Sequence, residues 1–223
     1  MAEKYATIGL GKFGYSVTKV LFDEGHDVIA MDLDKEKVQK ARECSSQAIA
    51  GDATQKEILE TFGLEEMDAV VVSMGGNPSA ATLVTLYLNE MGVKRIIVKA
   101  NDEDHGRILK RLGASDVVYP EQDIAVKVAR NLSHPNMLEY FPMADDYMAA
   151  QIVPDEPFIG KSLATLQLRT KFNINVIGIK RELPGKSFFV PSSEYVIRSS
   201  DTLLVVGSEE DIGRLREVNK GDQ

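Results

Sequence analysis

The stretch Ile8-Gly9-Leu10-Gly11-Lys12-Phe13-Gly14 constrains this chain more than any other. It follows a short apolar strand over residues 5–8 and opens a helix that runs to about residue 24. The spacing is G-x-G-x-x-G. Gly9 allows a tight turn out of the strand, Gly11 lets a phosphate approach the backbone, and Gly14 lets the helix pack closely on a sheet. A helix N-terminus in that place offers unpaired N–H groups and a partial positive charge to an anion. A second strand, over 27–31, ends in Asp32, which lies 18 residues past Gly14. A nucleotide ribose would present its hydroxyls to such a carboxylate, and a 2′-phosphate would be disfavoured there.

The rest of the first half repeats the pattern. Strands are expected over 47–50, 68–72, 95–99 and 116–119, with a helix before each. The strand over 68–72 ends in a β-branched run, Val70-Val71-Val72, as expected when both faces are covered. Six strands alternating with five helices in about 119 residues predict a doubly wound parallel sheet, a Rossmann-like α/β fold. In such sheets ligands gather at the carboxyl ends of the strands, near the switch in strand order. Gly9 to Gly14, Asp32, Asp52, the Ser73-Met74-Gly75 loop and Lys99 all fall at such ends. Thr54 with Glu57 has the spacing of a capping box, which would leave Asp52 free. Asp34 and Asn77 read as helix caps, with Pro78 after Asn77.

Beyond residue 119 comes a further helix, over about 120–132, and a connector over 135–144. The apolar segment 137–142 is expected either as a linker packed on its own domain or, the favoured reading, as a helix that crosses to a partner subunit, because a compact Rossmann unit has no further core for it. From residue 145 the pattern becomes a small α+β domain. It has strands over 149–153, 175–180, 187–190 and 202–207, helices near 162–167 and 209–218, and a hairpin turn at 183–186.

Composition narrows the function. The net charge is −8 and no basic run appears, which argues against nucleic acid as a partner. The single cysteine, Cys44, forms no internal disulfide and reads as a small packed residue in a cytosolic protein. No apolar stretch approaches the ~18 residues that span a bilayer. A dehydrogenase needs a proton donor or acceptor beside its nicotinamide. The three histidines, His26, His105 and His134, all read as surface residues. A cofactor site without an evident reaction favours a ligand sensor over an enzyme. A small NAD(H)-dependent oxidoreductase and a free-standing nucleotide sensor are the competing readings.

The glycine loop with Asp32, Gly51-Asp52-Ala53-Thr54, the Lys99-Ala100-Asn101 turn and the run from Gly113 to Glu121 together resemble the KTN/RCK family. The segment Leu168 to Val176 resembles that family's C-terminal (TrkA-C) domain. One N-terminal and one C-terminal unit is similar to the single-repeat Ktr type. The resemblance implies a nucleotide-binding domain over 1–134 and a TrkA-C domain over 145–223. It further implies a regulatory, gating subunit of a potassium transport system. Dimers would assemble into an octameric ring, cytoplasmic and docked on an integral-membrane K⁺-conducting subunit. The nucleotide, ATP/ADP or NAD/NADH, would meet Gly9, Gly11, Lys12, Phe13, Gly14, Asp32, Asp52, Ala53, Ser73, Met74, Gly75 and Lys99. Asp52 would accept a hydrogen bond from the adenine amino group. The family usually carries arginine where this chain has Lys12, and lysine lacks the bidentate fork. Glu121 is the candidate ligand for Mg²⁺ or Ca²⁺ between subunits. Arg169, Asn175, Val176 and Pro191 would bind cyclic di-AMP at the second domain.

Overall fold

The computed structural model describes residues 2–133, 137–143, 146–181 and 187–220. Contacts divide the chain into two units, one up to Ile124 and one from Ala125.

The first unit alternates strand and helix throughout. In chain order it has β1 (Lys4–Ile8), α1 (Lys12–Asp23), β2 (Asp27–Asp32), α2 (Lys35–Ala41), β3 (Gln47–Ala50), α3 (Lys56–Thr61), β4 (Ala69–Val72), α4 (Pro78–Glu90), β5 (Ile96–Lys99), α5 (Glu103–Arg111) and β6 (Asp116–Val118). Helix α6 (Pro120–Ser133) follows and carries the chain past the division. All five strand pairings are parallel, in the order β3-β2-β1-β4-β5-β6. The order reverses between β1 and β4, so the carboxyl ends of those two strands flank a crevice.

Burial explains why this sequence takes that form. β4 reads Ala69-Val70-Val71-Val72, and every one of its residues is buried. β-branched side chains suit a pleated strand covered on both faces. Ile8, Leu59, Val70, Val72, Leu88, Ile96, Val98 and Leu109 close one core with almost no exposed surface. Truncating one such side chain to alanine typically costs about 2–5 kcal/mol, comparable to a large part of a domain's whole stability. The crevice is therefore the open end of a rigid scaffold.

The second unit has a five-stranded sheet in the order β10-β9-β11-β8-β7, antiparallel at every pairing. Its strands are β7 (Met137–Pro142), β8 (Tyr147–Ile152), β9 (Asn175–Arg181), β10 (Ser187–Phe189) and β11 (Asp201–Ser208). Its helices are α7 (Leu163–Leu166), α8 (Leu168–Phe172) and α9 (Glu209–Lys220). The helix expected over 137–142 is a strand: β7 pairs with β8 and completes the sheet edge. Tyr140 and Phe141 favour strand over helix, and β8 offers the hydrogen-bonding edge that the run needs. Helix α8 was not expected. It is five residues long and bracketed by Gln167 and Asn173, both with positive φ. The turn at 183–186 and His134 lie outside the described residues.

Candidate functional site

The glycine loop has the geometry its spacing predicts. Gly9 has φ +92°, and a Cβ there would stand 2.4 Å from the Ser73 carbonyl oxygen. A Cβ on Gly14 would stand 1.9 Å from the Gly9 carbonyl oxygen. Both positions thus need glycine, because the turn is pressed between α1 and the loop after β4. Gly11 is different: open space surrounds the place of its Cβ. It is the N-cap of α1, and no side chain caps that helix. Helices α2, α4 and α5 do have side-chain caps, from Asp34, Asn77 and Asp102.

A cavity of about 470 Å³ opens above these strand ends. Of the expected nucleotide residues, Gly9, Gly11, Asp32, Asp52, Ala53, Ser73, Met74, Gly75 and Lys99 line it. Lys12, Phe13 and Gly14 form the first turn of α1 and do not line it. Leu33, Lys37, Gly51, Thr54, Gly76, Asn77 and Ala80 are lining residues that sequence reasoning missed. Most adjoin a predicted residue, so the signal was adjacency to a strand end. Lys37 reads in sequence as a wet-face residue of α2. Only the direction in which α2 leaves β2 reveals it.

Asp32 is held from two sides. Its Oδ2 accepts the Leu10 N–H at 2.6 Å, and its Oδ1 accepts the Asp34 N–H at 2.8 Å. The Lys37 ammonium lies 3.6 Å from Oδ2. A carboxylate has about four acceptor positions, so about two remain for a ligand with neighbouring hydroxyls. Asp34 caps α2 as expected by accepting the Glu36 N–H, and it leaves Asp32 to the cavity.

Asp52 is not free as expected. Its Oδ1 accepts both the Thr54 hydroxyl at 2.7 Å and the Thr54 N–H at 3.0 Å. The capping box does not form: α3 begins after Gln55, which makes no side-chain cap bond. A turn two residues long competes with the cap and wins. The Thr54 hydroxyl, then its N–H, hold the Asp52 carboxyl below its ordinary range.

On the other wall, Lys99 lines the cavity and pairs with Glu121 in the first turn of α6. That contact keeps the Glu121 carboxyl below its usual range. The Asn101 side-chain amide donates to the Gly75 carbonyl at 2.9 Å and fixes the loop after β4 beside Lys99. Behind this wall His105 is buried, at 8% exposure, rather than a surface residue as expected. Its Nε2 lies 3.3 Å from the Thr82 hydroxyl, and its Nδ1 accepts the Asn101 N–H at 3.4 Å. The next residue, Gly106, draws the segment in: a Cβ there would collide with the Tyr119 hydroxyl. Among the described residues no cluster of three or more His, Cys, Asp or Glu has the form of a metal site.

In the second unit, Arg169 lies on α8, Asn175 and Val176 open β9, and Pro191 follows β10. Arg169 and Asn175 are exposed; Val176 and Pro191 are half-buried. Cys44 is buried, as expected of a packed residue.

The TrkA-N domain family matches residues 5–120, and the TrkA-C domain family matches residues 147–220. The chain is 40% identical over 215 residues to the Ktr system potassium uptake protein C of Bacillus subtilis (strain 168), covering 96% of each chain. It is 34% identical over 212 residues to the Ktr system potassium uptake protein A of the same organism, covering 95% of each. Among solved structures, the GsuK channel bound to NAD superposes with a TM-score of 0.67 at 16% identity. All of this chain is covered there, but it spans only 40% of the channel's length. The crevice at the strand switch, the glycine turn and these matches over nearly the whole length agree: the chain belongs to the TrkA-N/TrkA-C family of Ktr-type potassium uptake proteins.

Proposed function

We propose that this chain is the nucleotide-binding gating subunit of a potassium transport system. The observation that carries the reading is the cavity at the β1/β4 switch, walled by a glycine turn, two aspartates and a lysine, in a chain so similar to Ktr-system proteins. An adenine nucleotide, ATP/ADP or NAD(H), sets its ribose on Asp32 and its base toward Asp52. Its phosphates lie between the uncapped start of α1 and Lys99. The chain acts by binding rather than by turnover. A ligand that binds two shapes of an oligomeric ring unequally biases the ring, and with it an integral-membrane K⁺-conducting partner at the inner face of the membrane. Among the described residues no helix is long and apolar enough to cross a membrane, so contact with the bilayer is assigned to that partner.

Two finer assignments belong to the same reading. Glu121 suits a hard cation, Mg²⁺ or Ca²⁺, because it is an exposed carboxylate held ionised by Lys99. It is one ligand only, so ligand phosphates and a second subunit would complete the set. Cyclic di-AMP is the candidate effector of the second unit, with Arg169 and Asn175 offering exposed donors.

The deciding experiment is a thermal-shift titration with ATP, ADP, NAD⁺, NADH and cyclic di-AMP, each with and without Mg²⁺. A ligand at about 100 times its dissociation constant should stabilise the protein by about 2.7 kcal/mol. The same ligand should change K⁺ flux through the partner in liposomes. Sustained oxidation of NADH by the purified chain, or ligand binding without any effect on flux, would overturn the reading.

A further inference from the structure

The cavity holds a cation that the function above does not use. Lys37 stands in the first turn of α2, five residues past Asp32. Its ammonium is 3.6 Å from Asp32 Oδ2 and 3.9 Å from Asp34 Oδ2, and its side chain remains 45% exposed. Neither distance is a hydrogen bond, so the three N–H donors stay available to a ligand. Asp32, in contrast, is pinned by two backbone amides and cannot turn away from what enters.

A carboxylate alone at this strand end accepts from a ribose 2′-hydroxyl and repels a 2′-phosphate. Here it does not stand alone. A cation within 4 Å offsets most of the repulsion that an arriving phosphate would meet. The long, flexible lysine stem lets that cation turn from the carboxylate to the phosphate. Both groups line the same cavity, beside Leu33.

We propose that Lys37 sets the tolerance of the cavity at the ribose 2′ position. Asp32 takes a free 2′-hydroxyl, and Lys37 supplies the counter-charge that admits a 2′-phosphorylated adenine nucleotide as well. The inference rests on the nucleotide-binding reading and assigns that site a wider ligand class.

The test is calorimetry on the full chain with two probes, 5′-AMP and adenosine 2′,5′-bisphosphate, at one ionic strength. The K37A variant should bind 5′-AMP within about threefold of wild type but lose about tenfold or more toward the bisphosphate, the weight of one charge-assisted hydrogen bond. K37R should restore the wild-type ratio. The same ratio of the two affinities in wild type and K37A overturns the inference and leaves the nucleotide site intact. Binding of neither probe, nor of ATP or NAD(H), by the wild type would instead remove the nucleotide reading itself.

Discussion

Asp32 and Asp201 lie at the edges of strands in different units, and both accept a backbone N–H. Asp201 takes the Arg198 N–H at 2.9 Å and the Tyr195 hydroxyl at 2.7 Å, with Arg181 at 3.5 Å. It is 1% exposed. Burial pushes the Tyr195 phenol above its ordinary value, and its hydroxyl donates to Asp201. Asp32 receives two amides from its own chain and faces a cavity. The chemistry is the same, but the source of the remaining donors differs. In the antiparallel unit the chain supplies them and the aspartate is architecture. At the open end of the parallel sheet the remaining acceptor positions face a cavity, and under the proposed function a ligand fills them and the aspartate serves recognition.

The sharpest way to break this comparison is to remove each group. Asp201→Ala removes a buried carboxylate that accepts from the Tyr195 hydroxyl and the Arg198 N–H and pairs with Arg181, and should lower stability by about 3 kcal/mol. Urea denaturation measures it, and nucleotide affinity should be unchanged. Gly14→Ala comes next. Its Cβ has no room against the Gly9 carbonyl, so overpacking should cost about 1–3 kcal/mol and distort the loop enough to abolish nucleotide binding. Gly11→Ala should fold normally, since space is open there, and should lose affinity only.

Asp32→Ala is the counterpart of Asp201→Ala. Stability should fall by about 1 kcal/mol, because the Leu10 and Asp34 N–H groups lose their acceptor, but unlike Asp201→Ala the change should also lower affinity for ATP and NAD(H) by about 1–3 kcal/mol, the scale of hydrogen bonds to a charged group. Calorimetry reads the loss; unchanged affinity would move Asp32 into the architectural class.

The smallest effect concerns Asp52, which stands between the two cases. Its carboxyl titrates below the ordinary value because Thr54 donates to the charged form. The stabilisation it adds is therefore present above the unfolded pKa and is lost as pH falls through the lower, folded one. Thr54→Val removes the hydroxyl donor, so the Asp52 carboxyl should titrate at higher pH in a carbon-13 NMR titration. Asp52→Ala should narrow the preference for ATP over GTP in competition binding.

Much of this site was legible because some residues admit one physical reading. Gly9 and Gly14 occupy positions that nothing larger can fill, and the spacing shows it. Asp32 was legible because the end of β2 is fixed by the turn that precedes it. What stayed hidden depends on competition or direction. Thr54 satisfies both a capping box and a short turn with Asp52, and only the backbone shows which wins. Lys37 and His105 carry no pattern of their own; one is turned into the cavity by α2, the other buried by the approach of α5 to Tyr119. The run 137–142 is apolar enough for several fates, and its choice of strand depends on the free edge of β8, which no local pattern records.

Helix α1 begins on Gly11 with no side chain to cap it, whereas α2, α4 and α5 each carry a cap in the chain itself. A phosphate bound there would be the missing cap. The order of the first turn of α1 would then belong to the solution as much as to the sequence. Amide hydrogen exchange at Lys12, Phe13 and Gly14 should slow as nucleotide is added, while the first turn of α5, capped by Asp102 and outside the cavity lining, exchanges at one rate throughout. In that sense part of this protein's secondary structure would be completed by a solute, and the solute's concentration would be written into the backbone of one helix.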